Sequence, residues 1–231
     1  MKLTRSPFGQ FKEKLFFSKD EIDRMCCEAM AEVGLLPAEP SPIRVDRFIE
    51  KKFKCHIEYP EFSDGVLGCT VFDREGTVKA VAVSSSIDDG TQTGRRRVRS
   101  TLAHEAGHGL MHQILFIEEG GQLRLPHDEN FDLRNSRIMC RSGDFEQSGN
   151  SARWWEYQAN RAIGGLLLPK QLLELALGQL LEGVGSMGRK CLLPDTLSKA
   201  KVLLANTFDV NPIVAEIRLN ESYIRSSQME L

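Results

Sequence analysis

Apolar residues along this chain follow two rhythms, and the change between them outlines the fold. Ser18-Lys19-Asp20-Glu21 has the form of a capping box, in which a serine hydroxyl and a glutamate three residues later satisfy the first free N–H groups of a helix. Behind it Ile22, Met25, Cys26, Ala29 and Met30 repeat at helical spacing until Gly34 and Pro37 stop the pattern. Val45, Phe48 and Ile49 predict a second helix over about Val45 to Phe53. The period then falls to two. Cys55, Ile57 and Tyr59 alternate with His56 and Glu58, a second strand reads from Val66 to Phe72, Asp73-Arg74-Glu75-Gly76 is a turn, and a third strand begins at Val78, Val81 and Val83. These strands predict a small, mostly antiparallel sheet, whose exposed edge could pair with an extended peptide.

Ser84 to Gly94 reads as a loop feeding the next helix, on which Val98, Leu102, Ala106, Leu110 and Ile114 recur every four positions. Arg95, Arg96, Arg97 and Arg99 crowd its first turns, the end where the helix dipole disfavours cations, so carboxylate partners are expected nearby. Residues 118 to 151 are polar and Gly-rich and read as a long irregular segment flanking a cleft. A helix beginning near Trp154 ends before Pro169, and another runs through Leu172, Leu173, Leu175 and Leu177. Residues 183 to 188 read as a flexible gap. Asp195 to Asn206 is a helix, and Asn211-Pro212 starts the last one with Asn as N-cap and Pro at its first position. The domains are expected as a lead-in over 1–17, an α+β domain over 18–190, and a C-terminal helical segment over 191–231 packed on it.

Composition narrows the function classes. The 231 residues are 41% apolar and 27% charged, with a net charge of −2, so nothing in the overall charge draws the chain to nucleic acid or an anionic membrane. No apolar run approaches the roughly 20 residues that cross a bilayer. The first residues lack the apolar core of a signal peptide, so Cys26, Cys27, Cys55, Cys69, Cys140 and Cys191 are expected as thiols in a cytoplasm.

The chemistry concentrates in His104-Glu105-Ala106-Gly107-His108. Residues four apart share a helix face, so His104 and His108 can aim two neutral imidazoles at one Zn²⁺, with Glu105 placed to act as base. The metzincin pattern would need a histidine where Ile114 stands, which excludes that class. His112, one turn after His108, reads as a packed or capping residue, with contact to an oxyanion as the alternative.

The stretch Arg99 to His108, R-x-x-x-A-H-E-x-G-H, followed by Trp155-Glu156-Tyr157-Gln158-Ala159-Asn160 and Leu166-Leu167-Leu168-Pro169, resembles the ImmA/IrrE family of metallo-endopeptidases. The likeness covers roughly residues 18 to 220. It implies a zincin-like α+β peptidase domain, with His104 and His108 as zinc ligands, Glu105 as catalytic base and Glu156 as third ligand. It also implies a helix-turn-helix transcriptional repressor as protein substrate. Among residues after His108, Glu156, Cys140, His112 and His127 are the candidate third ligands. Glu156 is favoured because its helix would pack a face of Ala159, Ile163 and Leu167 against the His104–His108 helix. Asn160, one turn after Glu156, is placed to hydrogen-bond a ligand imidazole, and Tyr157 is a candidate for transition-state hydrogen bonding. The alternative is a regulatory protein that grips such a repressor without cutting it, although a pure binder has no need of Glu105.

Overall fold

The computed structural model describes residues 2–5, 13–62, 65–117, 131–132, 137–141, 154–184 and 189–225. The capping box forms as its spacing predicts. Ser18 N donates to Glu21 Oε2 at 2.8 Å and Glu21 N donates to Ser18 Oγ at 3.3 Å, opening helix α1 (Lys19–Glu32). Helix α2 (Val45–Phe53) buries Val45, Phe48, Ile49 and Phe53. Residues read from sequence as a loose lead-in instead pair as an antiparallel hairpin, β1 (Lys2–Arg5) with β2 (Glu13–Phe16). Leu15 is buried beside the core, which gives that hairpin an anchor.

Strands β3 (His56–Glu58), β4 (Val66–Phe72) and β5 (Val78–Val83) fall where the two-residue rhythm put them. The β4–β5 turn closes on Gly76, whose φ of +79° only glycine adopts readily. Two further strands arise inside the segment read as irregular: β6 (Phe131–Asp132) and β7 (Arg137–Arg141). The remainder of 118–151, His127 included, lies outside the described residues. The sheet order is β3-β5-β4-β7-β6, with β3 parallel to β5 and every other pair antiparallel. The Val66–Val83 pair lies inside this sheet, and among the described strands β3 and β6 are the outer ones. β3 covers β5 and β7 covers β4, so neither has its backbone groups available to an added peptide strand.

Helix α3 (Gln92–Met111) begins earlier than the sequence implied, because Thr91 caps it by accepting from Gly94 N at 3.0 Å. Of its four arginines, Arg96 finds the carboxylate partner expected there, while Arg95 and Arg99 donate to backbone oxygens. Arg96 Nε donates to Asp209 Oδ1 at 2.9 Å and Arg96 Nη2 to Ala205 O at 3.0 Å, while Arg99 Nη2 reaches Ile43 O at 3.0 Å and Phe208 O at 3.3 Å. The four-residue stripe predicts one buried face. Instead every residue from Thr101 to Gly109 is buried, since the sheet covers one side of α3 and helices cover the other. Ile114 lies beyond the helix and is exposed.

Helix α4 (Trp154–Leu167) packs on α3 at short range. A Cβ on Gly107 would fall 2.7 Å from Ala162 Cβ and 3.2 Å from Ala159 Cα, so the two backbones approach more closely than any larger residue permits. Helix α5 (Lys170–Leu177) follows, with Leu175 exposed. The expected gap near 183 instead contains the flanks of a second small sheet, β8 (Leu181–Val184) and β9 (Arg189–Leu192), joined by β10 (Ile224–Arg225). Residues 185–188 lie outside the described set. Helix α6 (Leu197–Thr207) and helix α7 (Pro212–Ser222), capped by Asn211, complete the fold. Buried Arg218 of α7 donates Nε to Leu168 O at 3.1 Å and Nη1 to Asp23 Oδ1 at 2.9 Å, tying the last helix to α4 and α1. The fold is mixed α+β, and among the described residues no helix is long and apolar enough to cross a membrane.

Candidate metal centre

The α3–α4 contact is what assembles the site. His104 and His108 sit one turn apart on α3, and Glu156, in the first turn of α4, faces them across the close crossing at Gly107. His104 Nε2 lies 3.0 Å from His108 Nε2 and 3.1 Å from Glu156 Oε2, and His108 Nε2 lies 3.6 Å from Glu156 Oε1. Donors bound tetrahedrally to zinc at about 2.0–2.1 Å stand about 3.3 Å apart, so these three edges have the size a metal requires. Both imidazoles are fully buried, Glu156 is 3% exposed, and neither of its carboxylate oxygens has a hydrogen-bond partner. A buried carboxylate in that state needs a positive charge beside it. His104, His108 and Glu156 therefore form a group able to hold a metal ion.

The bonds behind the imidazoles fix which nitrogen faces inward. His104 Nδ1 lies 2.9 Å from Asn160 Oδ1, an acceptor, so Nδ1 carries a proton and Nε2 is the nitrogen that faces the centre. Behind His108 the chain is longer. His108 Nδ1–H donates to His112 Nδ1 at 2.9 Å, which puts the His112 proton on Nε2, and that donates to Gln158 Oε1 at 3.1 Å. Gln158 Nε2 then donates to Leu15 O at 2.7 Å, so the relay ends on the N-terminal hairpin. His112 thus acts through His108, and Gln158 is a supporting residue that sequence reasoning missed.

Glu105 turns from His104, His108 and Glu156 toward the sheet. Thr70 Oγ1 of β4 stands 2.7 Å from Glu105 Oε2 and 3.0 Å from its backbone oxygen, which pins the carboxylate. Gly68, two residues earlier, leaves the room: a Cβ there would come 2.8 Å from Glu105 Oε1. Neither Thr70 nor Gly68 carries a pattern in the sequence that marks it. Cys140 of β7 also enters, with its sulfur and the donor atoms of His104 and Glu105 all within 4.8 Å of one another. Tyr157 is nearly half exposed and lines an adjoining 480 Å³ cleft with Thr101, Asn160, Ile213 and Ile217. None of the six cysteines is in a disulfide.

Charge in the centre is set by burial and neighbours. Burial opposes ionisation of Glu156, but the imidazoles of His108 and His104 outweigh it and hold the carboxyl well below the usual carboxylate range. Burial likewise disfavours charge on His104, and the contacts of Cys140 and Glu156 override it, raising its pKa well above the ordinary value. Burial pushes the Cys140 thiol up to about 12, so at neutral pH it is uncharged and the Glu156 carboxylate is the operative partner of His104. His112 moves the other way, to about 3, because burial and then the charge of His108 disfavour its protonation.

That last shift gives a testable pH dependence. The unfolded chain binds a proton at His112 below about 6.5 that the folded chain refuses until about 3. Stability from this group is therefore complete above about 6.5 and declines as pH falls through that window. The slope is up to about 1.4 kcal/mol per pH unit. The raised pKa of His104 acts with opposite sign and at higher pH, so the two effects separate. In urea unfolding of metal-free protein between pH 7 and 4, His112→Phe should show a shallower decline than wild type. Parallel slopes would mean that His112 is not held neutral.

Comparison of the sequence with models of known protein families and with curated proteins finds no match.

Proposed function

We propose that this chain is a zinc-dependent endopeptidase with a zincin-like site, similar in kind to the ImmA/IrrE peptidases that its motifs resemble. The observation that carries the proposal is the convergence of His104, His108 and Glu156 at metal-binding separations, with Glu105 fixed beside them by Thr70. Three protein donors suit a catalytic site, where a zinc ion would polarise a peptide carbonyl and lower the pKa of a water from about 15.7 toward about 7. Glu105 accepts that water's proton and passes it to the leaving amine. Thr70 holds the Glu105 carboxylate at one angle, so the base is not free to rotate away from the water. Asn160 and His112 keep the two imidazoles in the tautomer that ligates. The cleft over α4 and α7 offers apolar contacts from Ile213 and Ile217 for a substrate side chain, and its Asn160 wall adjoins the metal centre. Tyr157, on the same wall, is a candidate donor to the developing charge on the substrate.

The substrate class follows from the resemblance: a helix-turn-helix transcriptional repressor in the cytoplasm, cut at one or a few bonds. Incubating the zinc-loaded chain with a helix-turn-helix repressor, and mapping fragments by mass spectrometry, tests this directly. Discrete fragments that disappear with a chelator are expected. A stable complex with an intact repressor would instead establish a binding protein, and cleavage confined to unrelated unfolded proteins would establish a general peptidase.

A further inference from the structure

Among the described residues Arg97 makes no hydrogen bond or ion pair, although it is exposed on the second turn of α3 and lines the 480 Å³ cleft. Asp89, whose carboxylate feels the Arg97 charge, is held instead by Thr91 N and Oγ1. The other charges on the cleft wall are matched: Arg161 Nη1 pairs with Glu221 Oε1, and Arg218 Nη1 with Asp23 Oδ1. The Arg97 charge is left over. Arg161 Nε and Arg218 Nη2 are buried donors without a hydrogen-bond partner, so the wall stays electropositive. Neither atom is exposed, and each acts on a ligand through its field and not by contact.

Much of the remaining wall is apolar. Ile213 and Ile217, one turn apart on α7, are 54% and 51% exposed, and Tyr157 of α4 stands beside them. The volume lies within the range of about 300–1,000 Å³ usual for ligand sites. Two contacts join the cleft to the metal centre. Asn160 of its wall lies 2.9 Å from His104 Nδ1. Thr101, also on the wall, shares Gly68 with Glu105: Thr101 Cγ2 and Glu105 Oε1 each fall 2.8 Å from a Cβ placed on that glycine.

We propose that this cleft holds the substrate chain beside the scissile bond, taking an apolar side chain against Ile213 and Ile217 and a carboxylate at Arg97. The inference rests on the peptidase reading and adds a sequence preference to it. Arg97 precedes His104 by seven residues, about 10 Å along α3 at about 1.5 Å per residue. An extended chain covers that span in about three residues at about 3.3 Å each. The acidic residue therefore falls about three positions from the cut bond, with the apolar residue between them.

Fluorescein-labelled peptides of Gly and Ser test this by anisotropy, each carrying one Leu with Glu one to three residues away on either side. Metal-free full-length protein is used, so that no cleavage intervenes. In the best-bound peptide, replacing Leu by Ala should weaken binding about tenfold, and replacing Glu by Lys about fivefold. Arg97→Glu should reverse the preference for Glu over Lys. Ile213→Ser combined with Ile217→Ser should remove the preference for Leu over Ala, and both positions are exposed enough for the fold to survive. Wild-type protein that binds none of the peptides at millimolar concentration, or shows neither preference, overturns the proposal, as do preferences that persist in the variants. Self-association of the free chain that Ile217→Ser abolishes would give the cleft to a second copy and also overturn it. Selective binding without cleavage by the zinc-loaded chain would instead overturn the peptidase reading, with the cleft still a peptide site.

Discussion

Glu156→Ala should lose most of its bound zinc while its far-ultraviolet circular dichroism stays near that of wild type. The carboxylate is one of three donors and is almost fully buried, and the contacts its oxygens make are with the other two donors, His104 Nε2 at 3.1 Å and His108 Nε2 at 3.6 Å. The helix that carries it is held by other residues. Trp155, Ala159, Ala162, Leu166 and Leu167 are buried, and α4 packs on both α3 and α1. Removing a supporting residue around a metal typically costs 10–100-fold in affinity, so removing a ligand should cost at least about 100-fold. The comparison that decides the ligand set is Cys140→Ser, which should keep zinc at wild-type stoichiometry because three donors remain. If Cys140→Ser strips the metal and Glu156→Ala spares it, the third ligand is sulfur and the carboxylate assignment is wrong.

Glu105→Gln should do the opposite, retaining zinc and fold while losing peptide cleavage. Gln preserves the shape of Glu, and its amide oxygen can still accept from Thr70 Oγ1, which lies 2.7 Å from one Glu105 oxygen in the native site. What it cannot do is take a proton. General base catalysis contributes roughly 10²–10⁴-fold, so the rate of fragment formation should fall by about that factor at unchanged zinc content. A Glu105→Gln variant that cleaves at the wild-type rate would remove Glu105 from the chemistry, whatever the metal does. Read together, the two substitutions separate holding the metal from using it.

The parts of the fold legible in the sequence are those whose signals are local. The Ser18–Glu21 capping box, the Asn211-Pro212 helix start, the Asp73–Gly76 turn and the alternation in β4 and β5 each need only a few adjacent residues. They appear in the structure at the positions they imply. Strand β7 was hidden in a polar, glycine-rich stretch, although Ile138 and Cys140 do alternate with Arg137 and Met139. The strand is short, and pairing with β4 rather than its own propensity makes it a strand. The hairpin of β1 and β2 escaped for a related reason: among the residues there whose burial is described, Leu15 and Phe17 enter the core, too few to set up a two-residue rhythm.

The site divides the same way. His104, Glu105 and His108 follow from helical spacing alone, while Glu156 and Asn160 are 52 and 56 residues from His104 and came from the family resemblance and from helix packing. Thr70, Gly68 and Gln158 act through contacts between α3 and the sheet or the N-terminal hairpin, across 35 residues for Thr70 and Glu105 and 143 for Gln158 and Leu15. Nothing in a single sequence specifies such register. His112 shows the converse case. Its spacing from His108 suggested packing, and only the contacts of its ring nitrogens show that it links His108 to Gln158.

The central claim, that His104, His108 and Glu156 hold a metal, is tested most directly by the zinc content of the purified chain after exchange into zinc-replete, chelator-washed buffer. The account predicts one zinc per wild-type chain and close to none in His104→Ala. Wild-type protein without zinc, or His104→Ala with a full equivalent, would contradict it.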